Sequence, residues 1–95
     1  MEKTGYIDIM TNANKSVFHT GVASDLKGRV FQHKQKIIER FTKLYNYSKL
    51  VYYEDCGTIY NAIAREKQIK GKTHFKKTQL IIATNSEWKD LHDEL

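Results

Sequence analysis

The stretch Phe18 to Lys34, FHTGVASDLKGRVFQHK, constrains this chain more than any other. A β-like run from Val17 to Thr20 meets Gly21, crosses Val22 and Ala23, and reaches Ser24-Asp25. Both polar side chains can accept hydrogen bonds from the unpaired N–H groups of a first helical turn, so a helix is expected to begin there. Arg29 and His33 are four residues apart and share one face of that helix. A cation and an imidazole therefore sit just beyond a strand, beside a helix N-terminus that itself favours anions. That arrangement suits a phosphate, though spacing alone does not establish one.

Around this stretch the periodicity alternates. Residues 5–10 (GYIDIM) place Tyr6, Asp8 and Met10 on one strand face, with Ile7 and Ile9 on the other. TNANK at 11–15 is rich in turn formers, and Ser16 to Thr20 should return as the second strand of a hairpin. The helix runs from about Asp25 to about Glu39, with Leu26, Val30, Ile37 and Phe41 toward the sheet. Gly28 inside it costs roughly 1 kcal/mol relative to alanine, which implies close backbone approach or a tight fit. Arg40 to Lys49 lacks a period and reads as loop, and Leu50 to Glu54 (LVYYE) as a third strand. Thr58 should cap a helix over Ile59–Lys70, stopped by Gly71. Its apolar stripe is Ile59, Ala62, Ile63 and Ile69, and Glu66 falls on that same stripe. A further helix, about His74 to Ala83, follows Thr73. Asn85-Ser86 breaks the chain before a short terminal helix with Trp88, Leu91 and Leu95 packing inward. The expectation is one α+β domain over residues 1–95 in ββαβαα order.

Ninety-five residues suffice for one modest core. The charge is +5, from 16 Lys+Arg against 11 Asp+Glu, which fits an anionic partner and fits spare surface lysines equally well. A single cysteine, Cys56, excludes an internal disulfide or a cysteine zinc set and suits a reducing cytoplasm. No apolar run approaches membrane-spanning length, and the N-terminus lacks the apolar core of a signal peptide.

Taken in order, YIDIMTN, FHTGVASDLKGRVFQHK, RFTKLYN, LVYYED, NAIAREKQIKGK and NSEWKDL resemble the small standalone GIY-YIG proteins of bacteria, a family described as endonucleases. The long blocks are Gly-Val-x-Ser-Asp-Leu-x-x-Arg-Val-x-x-His-Lys and Ala-x-Ala-Arg-Glu-Lys-Gln-Ile-Lys-Gly. The resemblance implies a three-stranded antiparallel sheet flanked by helices, and metal-assisted cleavage of DNA phosphodiesters. In that scheme a tyrosine or an activated water attacks, an arginine balances phosphate charge, and a glutamate holds one Mg²⁺ or Mn²⁺. Arg29 matches the arginine, Glu66 the metal-binding glutamate, His33 a helix histidine and Asn85 a late asparagine. The two namesake tyrosines are replaced, by Asp8 and His19, at the family's separation of eleven residues.

Each candidate has a chemical reason and a plainer reading. Arg29 can bind phosphate oxygens bidentately, or be a solvated helix arginine. Glu66 with waters and substrate phosphates is a normal Mg²⁺ site; it could instead simply pair with Lys70. His19, with a reference pKa near 6.5, is a better base at neutral pH than a phenol near 10, or a structural histidine in a site that no longer cuts. Asp8 could assist a metal, orient His19 or repel phosphate. His33 is a candidate phosphate donor or relay, or a structural helix histidine. Arg29, Lys34, Lys67, Lys70, Lys72, Lys76, Lys77 and Asn85 are the candidate nucleic-acid contacts. The expected function is a divalent-metal-dependent DNA endonuclease; the alternative is a nucleic-acid-binding module that keeps the fold without cutting.

Overall fold

The computed structural model describes residues 4–34 and 49–95, with the side chains of Gln32, His33 and Lys34 excepted. The expectations placed on Ile37, Phe41 and residues 40–48 lie outside the described residues.

Three strands, β1 (Tyr6–Thr11), β2 (Phe18–Ala23) and β3 (Lys49–Asp55), form an antiparallel sheet in the order β2-β1-β3. The hairpin register pairs Asp8 with Gly21 and Met10 with His19. Strand β2 starts at Phe18, two residues later than its sequence suggests. Asn12 explains the delay: its Oδ1 accepts from the amides of Ser16 (3.0 Å) and Val17 (3.3 Å), so neither joins the ladder. Lys15 takes the left-handed conformation that closes the loop (φ 60°).

Helix α1 (Leu26–Lys34) follows Asp25, whose Oδ1 accepts from the Gly28 amide at 3.1 Å. A Cβ on residue 28 would lie 2.3 Å from that carboxylate, which accounts for the mid-helix glycine. Helices α2 (Ile59–Lys70) and α3 (His74–Thr84) are capped by Thr58 and Thr73, each hydroxyl accepting from the third amide beyond it. A single 3-10 turn, Leu91–Glu94, stands where a terminal helix was expected.

β1 is central and buried on both faces, so its alternation sorts side chains between two cores rather than between core and solvent. Ile7 and Ile9 join Val51, Tyr52, Ala62, Ile69 and Ile81 against α2 and α3. Met10 joins Leu26, Val30 and Leu50, with Leu91 and Leu95 against them. A bulge opposite Ile9/Met10 puts the consecutive Val51 and Tyr52 into the same core. On α2 the stripe is narrower than expected. Ile63 is exposed, and the helix rests on Ala62 and Ile69. Glu66, four residues after one and three before the other, stays at the rim of that contact.

Gly5 is where β1 meets the start of α2. Its carbonyl accepts from the Cys56 amide at 2.8 Å. A Cβ there would lie 2.2 Å from the Thr58 carbonyl oxygen and 2.7 Å from the Ile59 Cα. Both are backbone atoms that cannot swing aside. Gly5→Ala is therefore expected to cost about 1–3 kcal/mol of stability, read from urea unfolding midpoints. An unchanged midpoint would refute this tight contact.

Candidate active site

The hairpin register and the first turn of α1 bring Asp8, His19 and Arg29 together on one face of the sheet. Gly21, opposite Asp8, has no side chain, and the guanidinium fills that space. A Cβ at this position would lie 1.8 Å from Arg29 NH2. Arg29 Nε donates to Asp8 Oδ2 at 2.7 Å, and NH2 meets His19 Nε2 at 3.3 Å. A guanidinium can only donate, so Nε2 is the acceptor and the imidazole proton belongs on Nδ1.

The electrostatics follow from burial. Asp8 is fully buried while the Arg29 side chain keeps 20 % of its exposure. Desolvation raises the Asp8 pKa above the usual carboxylate value, against the opposing pull of Arg29, and the charge of Glu66 pushes it the same way. Among the described residues, Asp8 Oδ1 has no hydrogen-bond partner. Desolvation lowers the His19 pKa, and Arg29 and then Lys70 lower it further, so the ring is neutral at neutral pH. Glu66 and Lys70 thus act on the cluster from α2, where they form an i,i+4 pair at 3.4 Å.

Beside the guanidinium a shallow open cleft of about 340 Å³ is lined by Val22, Ala23, Ser24, Asp25, Gly28 and Arg29. It exposes the α1 N-terminus next to a cation, as anion binding requires. Tyr6 shares the strand face of Asp8 but packs against the Met10–Leu26 core. The backbone of His33 and Lys34 belongs to α1, while their side chains lie outside the described set. Lys67, Lys70 and Lys76 are exposed, and Lys72 and Lys77 are half-buried.

Asn85 is placed otherwise than a nucleic-acid contact would be. It is buried, its Nδ2 donates to the carbonyls of Val51 (3.1 Å) and Lys89 (2.8 Å), and its Oδ1 accepts from the Lys89 amide. That amide ties the end of α3 to β3. It leaves little for a phosphate.

Sequence reasoning missed one network. Arg65 Nε and NH2 grip both oxygens of Glu54 at 2.9–3.2 Å, and Tyr52 donates its hydroxyl to the same carboxylate. Burial and the Glu54 charge push the Tyr52 phenol up to about 12. The clamp fastens α2 to β3 one residue from Glu66. The signal was the alternation Tyr52-x-Glu54, which puts phenol and carboxylate on one strand face.

Among the described residues no group of three His, Cys, Asp or Glu could hold a metal ion as a protein-made cage. Glu66 is a rim carboxylate whose side chain keeps 22 % of its exposure. This fits the mode in which Mg²⁺ keeps most of its waters and takes one carboxylate plus substrate phosphates.

The fold is a small α+β domain built on a three-stranded antiparallel sheet. The sequence matches the GIY-YIG catalytic domain over residues 4–79, and the chain belongs to the GIY-YIG family. Its relatives include UPF0213 proteins of staphylococci. One from Staphylococcus epidermidis is 32% identical over 72 residues, covering 76% of this chain and 88% of the relative. One from Staphylococcus saprophyticus is 34% identical over 76 residues, covering 80% and 92%. One from Staphylococcus aureus is 38% identical over 63 residues, covering 66% and 77%. No solved structure matches the chain significantly. No described helix is long and apolar enough to cross a membrane.

Proposed function

We propose that this chain is an endonuclease that hydrolyses DNA phosphodiesters with one divalent ion, Mg²⁺ or Mn²⁺. The observation that carries the reading is the guanidinium of Arg29, seated in the space over Gly21 between Asp8 and His19 at the family's motif positions. In this reading Arg29 turns NH2 toward a phosphate oxygen and balances the charge that builds there. His19, whose Nε2 meets that NH2, accepts the proton of the attacking water. Asp8 keeps its hold on Nε, so the guanidinium pivots without leaving the site. Glu66 would hold the divalent ion, which supplies Lewis-acid stabilisation of the departing oxygen. Lys67, Lys70, Lys72, Lys76 and Lys77 contribute salt-dependent contacts to backbone phosphates. The single-domain chain works in a reducing cytoplasm, where Cys56 stays a thiol.

One observation favours a second reading, a nucleic-acid-binding module without cleavage. Arg29 is engaged by a buried carboxylate where the family has a tyrosine, which holds the cation back from substrate. Nicking of supercoiled plasmid decides between them. Cleavage that needs Mg²⁺ or Mn²⁺ and falls about 100-fold or more in Glu66→Ala is the expected result. A folded protein that binds DNA but does not nick across pH and metal would establish the module instead.

A further inference from the structure

We infer that the chain carries a stacking platform for an unpaired base, ending in the exposed residue His74 at the start of α3. This rests on the nucleic-acid reading above and adds the form of the substrate, a single strand.

Three elements converge to build it. Phe18, the first residue of β2, stacks on His74, the first residue of α3, with centroids 4.4 Å apart and planes within 5°. Phe18 also stacks on Trp88, at 6.1 Å and 19°. Lys15 Nζ lies 5.1 Å from the Trp88 ring centroid. Trp88 is held in a left-handed backbone (φ 56°), a conformation that strains a bulky side chain. Its amide donates to the Asn85 carbonyl, and its own carbonyl accepts from Lys49 Nζ at 2.9 Å.

Core packing accounts for part of this arrangement. Phe18 and Trp88 rest against the Ile7–Ile81 core. It does not account for His74, which is exposed while its ring lies flat on Phe18, and on which no second ring of the described residues is stacked. Its neighbour Phe75 is 70% exposed. The charge around the two rings selects the occupant. Lys72, Lys76 and Lys77 lie close to them along the chain, and the first turn of α3 carries no acid. Flat rings among cations suit a base and its phosphates, and every base has a face to stack. Paired bases in a duplex are already stacked on each other, so an unpaired one is required.

Phe18 pairs with Thr11 and lies on the Ile7–Ile9 face of the sheet, whereas its neighbour His19 points to the face of Asp8 and Met10. The platform is thus a base site separate from the Arg29 cluster, on the face covered by α2 and α3.

The test is binding of the whole chain to a fluorescent oligothymidylate and to a blunt duplex of equal length, by anisotropy. Single strand should bind more tightly than duplex. His74→Ala should weaken the single strand about 5- to 100-fold, leave the duplex affinity unchanged and leave the salt slope intact, since no phosphate contact is removed. His74→Phe should keep the affinity. A His74→Ala variant that binds both forms like the parent, or that weakens both equally, overturns the inference, as does a parent that prefers duplex or binds neither. Ring-dependent single-strand binding without nicking would uphold the platform and reject cleavage. Metal-dependent nicking without single-strand preference would do the reverse.

Discussion

Arg29→Ala is expected to lower the unfolding free energy at pH 7 by about 3 kcal/mol, and Asp8→Asn in the same chain should restore most of it. Asp8 is fully buried, one of its oxygens lacks a partner among the described residues, and the other is held by Arg29 Nε. Removing the guanidinium leaves a buried charge uncompensated, which costs far more than the intact pair contributes. The pH dependence has a definite sign. Asp8 already has a raised folded pKa, so the native state holds its proton more tightly than the unfolded chain does. Its contribution is therefore favourable at low pH and is lost as pH rises through the folded value. In Arg29→Ala both lowering influences of the guanidinium disappear while burial and Glu66 remain, so that value climbs further. The deficit against the parent should be small below the ordinary aspartate value of 3.8 and grow toward neutrality. Urea unfolding at several pH values measures it. A deficit that is flat with pH, or that Asp8→Asn does not relieve, would show that the pair is not held as described.

Much of this architecture was legible because local chemistry agreed with the global fold. Thr58 and Thr73 announce their helices, and their hydroxyls accept the amides that capping predicts. Gly28 announces a tight fit, which is the Asp25 carboxylate. The alternation of residues 5–10 and the turn formers at 11–15 implied a hairpin, and the structure adds the register that puts Gly21 rather than His19 directly opposite Asp8. That register creates the seat for Arg29, and no periodicity argument reveals it, because the space comes from a missing side chain on one strand and the charge from a helix. The other misses are tertiary too. Ile63 has the spacing of a buried residue, yet α2 rests on the Ala62–Ile69 line and leaves it exposed. Asn85 reads as a turn former or a phosphate contact until α3 and β3 are seen to share it. The bond from Arg65 to Glu54 and the stack of Phe18 on His74 depend on how helices sit on strands, which the sequence pattern does not specify.

If His19 is the base, plasmid nicking at saturating metal should rise as pH passes through a pKa below the ordinary 6.5 and then stay level through neutrality. The direction follows from the site. Burial disfavours the imidazolium, and the positive charges of Arg29 and Lys70 disfavour it further. His19→Gln removes the proton acceptor and should lower the rate about 10²- to 10⁴-fold, abolishing the acidic limb. His19→Tyr restores the family's phenol, with a reference pKa near 10, and should move any remaining limb to alkaline pH. Asp8 also titrates with a raised pKa and lies in the same cluster, so the limb must be followed in Asp8→Asn as well; a limb that survives there belongs to His19. Stability must be followed alongside. A histidine whose folded pKa is depressed binds its proton more readily when unfolded, so its contribution is complete above 6.5 and is lost as pH falls through that window. Circular dichroism across the same range separates lost catalysis from lost fold. A His19→Gln protein that nicks like the parent, with the acidic limb intact, would remove His19 from the chemistry and leave Arg29 as the motif's working residue.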